Sequence, residues 1–245
     1  MNDFAVVLGL ALFPALGNFF GGLLAEFVPT SKRTLNRALH AAAGVVIAIV
    51  AVELMPRALQ ATSGWLVAIA FGVGGVAYVA LAAMVDWLQR NGSDQGGRGG
   101  MWMVYVAVAV DLFSDGLMIG AGAAVTTSLA LILALGQVLA DVPEGFAAIA
   151  DFKDKGVARS QRLVLGLSFT VPALVAASLA YLLLRDQSEA LQMAGVVFTA
   201  GLLTVAAVED MMTEAHASAA DSRASVLAFV GGFVLFTLVS AGLGG

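Results

Sequence analysis

Four acids stand where hydrocarbon leaves no water to hold them. Asp111 and Asp115 lie in VAVAVDLFSDGLMIGAG, Asp141 and Glu144 in LALGQVLADVPEGFAAIA, and neither segment contains a Lys or Arg. A charged side chain at a bilayer centre costs about 2.5–3.5 kcal/mol on insertion scales, so four such acids cost about 10–14 kcal/mol unless they are protonated or given a cation. Carboxylates with no base beside them are candidate ligands for a positive ion. At about 100° per residue Asp111 and Asp115 share one helix face, as do Gln137, Asp141, Glu144 and, two turns on, Asp151.

The remaining donors narrow the chemistry. The chain has no Cys and only two His, which excludes disulfides, thiolate zinc sites, cysteine nucleophiles and any His-rich centre. Oxygen ligands are left. Enzyme chemistries drop out in turn. No Gly-x-Gly-Asp surrounds Asp86, Asp111, Asp141 or Asp210, and neither His-Glu-x-x-His nor Gly-x-Ser-x-Gly occurs. Every basic residue falls in a loop or at a span end, so no Lys or Arg is placed to hold a lipid phosphate inside the membrane. A net charge of −5 without a basic patch rules against nucleic acid.

The elements that must position these acids are membrane-spanning helices. Hydrophobic residues make up 60% of the chain and charged ones 12%, and the mean hydropathy is +0.94, far from a soluble balance. Cutting at polar and Gly/Pro clusters predicts eight spans, near 4–28, 39–60, 64–88, 101–125, 127–151, 164–184, 190–213 and 224–243. One domain, 1–245, is expected, with MNDF opening the first span because no basic n-region precedes its apolar run. Lys32, Arg33, Arg37, Arg90, Arg98, Lys153, Lys155, Arg159, Arg162 and Arg223 fall in the odd connections, against Arg57 and Arg185 in the even ones. By the positive-inside rule the odd connections are cytoplasmic and both termini extracellular. The fourth and fifth spans are then antiparallel neighbours joined at Thr126 and Thr127, with all four acids near the midplane.

AVDLFSDG and VLADVPEG align as antiparallel copies of one motif, Asp115 over Glu144 and Gly116 over Gly145, as inverted transporter elements would. Pro143 frees a carbonyl one turn earlier, near Leu139, and the two glycines allow close backbone approach.

These motifs resemble the ZIP family of divalent-metal transporters, which pairs His-Asn-x-Pro-Glu-Gly motifs in its fourth and fifth helices. DVPEGFA at 141–147 is similar to the fifth-helix motif. DLFSDG at 111–116 keeps the fourth in part: Asp111 stands for the family's His, Leu112 for Asn, Ser114 for Pro and Asp115 for Glu, while Ala140 replaces the fifth motif's opening polar residue. VELMPRAL at 52–59 resembles the second-helix ending, with Glu53 facing the pathway. VEDMMTEAH at 208–216 resembles the seventh-helix stretch, with Glu209 and Asp210 in the His-Glu positions. The resemblance implies an inverted repeat of three, two and three helices, a binuclear metal centre, a homodimer, and inward transport across the cell (inner) membrane. Its substrate would be zinc, manganese, iron or cadmium. Carboxylates alone make a harder site than the family's and tilt preference towards manganese and iron(II), although affinity order still favours zinc.

In one ligand assignment Asp115 and Glu144 bridge two ions, Asp111 completes the outer position, and Asp141 with Asp210 or Glu209 the inner. Asp151 and Asp154, with Glu209 and His216 on another face, would lead to the cytoplasm. Plainer readings stand beside these. Glu53 could cap or snorkel, Asp151, Asp154, Glu214 and His216 could be surface, His40 an interface anchor and Gln137 a bond between helices. Gly72 with Gly75, and Gly231 with Gly232, read as packing faces. The rival functions are a proton-coupled carrier of another cation and a transport-impaired metal sensor.

Overall fold

The computed structural model describes residues 3–28, 31–91 and 97–244. Eight of its helices are long and apolar enough to span a membrane: α1 Asp3–Phe27, α2 Lys32–Ala61, α3 Gly64–Val85, α4 Val104–Val125, α5 Thr127–Asp154, α6 Arg159–Leu184, α7 Glu189–Ser218 and α8 Arg223–Gly242. All regular structure among the described residues is helical. This is a multi-pass membrane architecture. Residues 92–96 of the third connection, and the side chains of Arg90 and Arg98 beside them, lie outside the described part.

Polar residues set the helix starts. The Ser31 hydroxyl accepts from the Thr34 amide at 3.2 Å, so α2 begins seven residues before its apolar stretch, carrying Lys32, Arg33 and Asn36 as its first turns. Thr126 caps α5 in the same way, accepting from the Leu129 amide at 3.1 Å. It is the only non-helical residue between α4 and α5, which makes the two an antiparallel hairpin. Ser222 and Ser225 form a capping box at α8.

The principal packing pairs are α1 with α5, α4 with α6, α2 with α8 and α3 with α7. Gly17 and Gly21 of α1 face Val138 and Val142 of α5, while Gly116 and Gly120 of α4 face Ala173 and Ala177 of α6. Positions advance together along both contacts, so the paired helices are parallel. A Cβ at Gly21 would overlap the Val142 carbonyl, and one at Gly145 the Asn18 carbonyl. Backbones can come this close only where no side chain intervenes. Of the glycines expected at packing faces, Gly75 meets Val205 and Gly232 the Ala41 carbonyl, whereas Gly72 and Gly231 have no neighbour within 4 Å; Gly74, beside Gly75, meets the Phe198 carbonyl.

Two helices change pitch midway. α2 passes through a π-helical segment at Ile49–Leu54, and α7 through one at Ala207–Met211. Single π turns shift the side-chain register and collect at functional sites.

One end of the bundle is pinned by a buried ion pair. Arg162 Nε and Nη2 donate to the two Glu26 oxygens at 2.6 and 2.8 Å, and Lys153 donates to the Ala25 carbonyl, tying α1, α5 and α6. Arg162→Ala leaves Glu26 only the looser contact with Arg159 at 3.7 Å and is expected to lower stability by about 1–3 kcal/mol, the range for losing bonds to a charged group. The double variant Arg162→Met with Glu26→Leu should recover most of that loss in detergent thermal melts. A melt of Arg162→Ala that matches the parent would remove the pair from the account of this end.

Candidate metal centre

The hairpin register builds the site. α4 and α5 extend side by side from the turn at Thr126, so residues at equal sequence distance from it lie level. Asp115 and Gln137 form one such pair, and the Gln137 amide donates to Asp115 Oδ1. Asp111 and Asp141 form the next pair, one turn further from the hairpin. Glu144 follows on α5. Ligand oxygens of Asp111, Asp141 and Glu144 all lie within 4.8 Å of one another, with Asp115 beside Asp141. Gly17 of α1 backs directly onto Asp141, closing the rear of the site.

No base reaches these acids among the described residues. Arg57 pairs with Glu53, Lys155 with Asp151, Arg159 and Arg162 with Glu26, and Arg185 with Asp186. Asp111 Oδ2, Asp115 Oδ2, both Asp141 oxygens and Gln137 Oε1 are buried without a hydrogen-bond partner. Buried polar atoms are ordinarily satisfied. Buried acceptors left open in this way call for a donor or a cation, and those of Asp111 and Asp141 belong to the cluster whose ligand atoms meet.

A cavity of about 380 Å³ opens from the site, lined by Asp111, Glu144, Asp151, Asp210, Met211 and Glu214 among others. Its acids run from the centre of the hairpin towards the end where α5 and α7 finish. Asp115 and Gln137 lie at the opposite, closed side, both almost wholly buried.

The candidate residues separate into three groups. Asp111, Asp141 and Glu144 come together, with Asp115 held against them by Gln137. Asp111 therefore sits beside Glu144 on the cavity side, whereas the bridging assignment put it outermost; the equal spacing from Thr126 decides the levels. Asp151 and Asp210 line the cavity, Asp151 also bonding Lys155 at 2.6 Å. Glu53 stands apart, buried on the π segment of α2, where it takes hydrogen bonds from Arg57 at 2.9 Å and from Ser240. Its charge is already answered. Glu53→Gln is expected to lower thermal stability by roughly 1–3 kcal/mol, the range for losing bonds to a charged group, while bound metal content stays unchanged; a fall in metal content would return Glu53 to the site.

Glu209 is exposed and does not line the cavity, and His216 turns away from it to Asp221 and His40. Seven residues return to one face in an α-helix, but the π segment at Ala207–Met211 breaks that period. Glu214, whose plainer reading was a surface acid, and Asn18, which carries no motif, also come into this region. Glu214 lines the cavity, and the Asn18 amide nitrogen is buried without a partner where α1 crosses α5.

No protein-family model matches the chain, and no curated protein matches it.

Proposed function

We propose that this chain is a ZIP-like carrier of divalent transition-metal ions, moving them towards the cytoplasm through the carboxylates of α4 and α5. The observation that carries the reading is the convergence of Asp111, Asp141 and Glu144, with no base in reach, on a cavity that continues along Asp151, Asp210 and Glu214. An ion binds where the orphaned oxygens replace its water, and leaves through a wider, acid-lined passage. All-oxygen donors suit manganese and iron(II) best, with zinc and cadmium accepted on affinity.

The positive-inside rule places the open end of the cavity, where Lys153 and Lys155 lie, at the cytoplasm. In this orientation the conformer faces inward, sealed outwardly by Asp115 and Gln137, and both termini are outside. An inverted three, two and three arrangement finds support in the packing. Exchanging α1 with α6, α2 with α7, α3 with α8 and α4 with α5 converts the four helix pairs into one another. The same exchange carries Gly44, which meets Phe229, onto Gly201, which meets Phe71, and π segment onto π segment. The resemblance places the carrier in the inner cell membrane as a homodimer.

Reconstitution tests this directly. Liposomes containing the purified protein should take up manganese, iron(II), zinc or cadmium above empty liposomes, and lose that uptake with Asp141→Asn. Flux at the empty-liposome level for all four ions overturns transport; bound ions without flux would identify a sensor.

A further inference from the structure

Away from the carboxylate cavity, the start of α2 meets the end of α7 in a cluster of different chemistry. His40 is buried, 3% exposed, and its Nδ1 lies 2.8 Å from the Asn36 carbonyl. A carbonyl only accepts, so Nδ1 carries the hydrogen and the neutral ring presents its Nε2 lone pair on the other side. That lone pair faces Asp221 Oδ1 at 3.5 Å, an acceptor facing an acceptor. His216 Nε2 approaches the other oxygen, Asp221 Oδ2, at 2.8 Å. The three ligand atoms lie within 4.8 Å of one another, with the two rings 5.9 Å apart and steeply inclined.

The support is as specific as the cluster. The Asn36 amide nitrogen donates to Asp221 Oδ1 at 3.0 Å and faces the Ala215 and Ala219 carbonyls, while Ser225 donates to Asn36 Oδ1 at 2.6 Å. One buried residue thus holds the carboxylate through its side chain and the imidazole through its backbone. Metal-binding histidines are oriented in this way, by a carbonyl or carboxylate on the second ring nitrogen. The Asn36 bond also keeps the Asp221 carboxyl below its usual range, so it is ionised at neutral pH.

We propose that His40, His216 and Asp221 form a second metal site, distinct from the midplane acids and specific for zinc-class ions. Two imidazoles and one carboxylate are borderline donors that select zinc, cobalt or nickel over manganese and magnesium. Three protein ligands leave a fourth position to water, and His216 and Asp221 are open to solvent, so the ion exchanges. Occupancy clamps α2 to the junction of α7 and α8. The proposal stands whether or not the chain transports.

Cobalt(II) is the probe, because four-coordinate cobalt absorbs strongly in the visible. Full-length protein in detergent carrying Asp111→Asn and Asp141→Asn should still take up one equivalent of cobalt with that absorption, and zinc should displace it where manganese does not. His216→Ala, at an exposed position, should weaken cobalt at least about 100-fold, the upper end of what a merely supporting group costs; Asp221→Asn should do the same. Cobalt spectra unchanged in both variants, or visible absorption that disappears with the midplane substitutions alone, would overturn the site. Imidazole resonances that titrate with protons but ignore added zinc would overturn it as well.

Discussion

Asp111→Asn combined with Asp141→Asn is expected to raise the thermal stability of the ion-free protein while abolishing its stabilisation by manganese. Both carboxyls hold oxygens with no partner, and neither has a base nearby. Asparagine keeps their shape, removes the like charges, and supplies NH₂ donors to the orphaned oxygen of Asp115 and to Glu144. Since each unbalanced charge near a bilayer centre costs about 2.5–3.5 kcal/mol, the gain in the apo protein should be measurable even if partial protonation already relieves much of the cost. The parent should gain about 2.7 kcal/mol at a manganese concentration 100 times its Kd, and the variant none. Differential scanning fluorimetry in detergent, with and without ion, reads both effects. A variant less stable than the parent, together with a parent that ignores every ion tried, would make these acids structural and remove the metal centre.

Gly231→Ala and Gly232→Ala, one residue apart, are expected to act in opposite directions. Gly231 has open space where its Cβ would stand, whereas a Cβ on Gly232 would strike the Ala41 carbonyl of α2. Alanine in a helix interior gains roughly 0.5–1 kcal/mol over glycine, so Gly231→Ala should match or exceed the parent in melting temperature. Gly232→Ala forces α8 away from α2, and overpacking of this kind costs about 1–3 kcal/mol even when side chains can give way. Here backbone must move, so the loss should reach or exceed the top of that range, with reduced yield of folded protein. Equal melting of the two variants would mean that the α2 and α8 backbones are not in contact at Gly232.

The spans were legible because lipid imposes length and apolarity on every crossing helix, and the single residue at Thr126 was legible as a turn because apolar runs flank it. The acidic constellation was legible for the same reason: charge in such runs is too costly to be casual. Helix beginnings were less so, since Ser31 and Ala158 start α2 and α6 well before hydrophobicity does. The π segments left no periodic signal, so the α-helical period sets Glu209 and His216 on one face and gives no sign that Glu214 turns to the cavity. Which of the two readings of Glu53 holds was not legible, because its partner Ser240 lies 187 residues away. His40 and His216 are still further from sequence reading. Their meeting depends on Asn36, whose bonds to Ala215, Asp221 and Ser225 join parts of the chain that nothing local connects.

α2 is the most enclosed of the eight helices, 67% buried over its apolar window, yet its chief partner, α8, leaves the ribosome after the other seven. Synthesis at typical rates puts on the order of 10 s between them, during which the small-residue face around Gly44 has only lipid or the translocon against it. Chains truncated before Arg223 should therefore insert with the right number of crossings but be cleared by membrane proteases, since their second helix never acquires the surface it was shaped to meet.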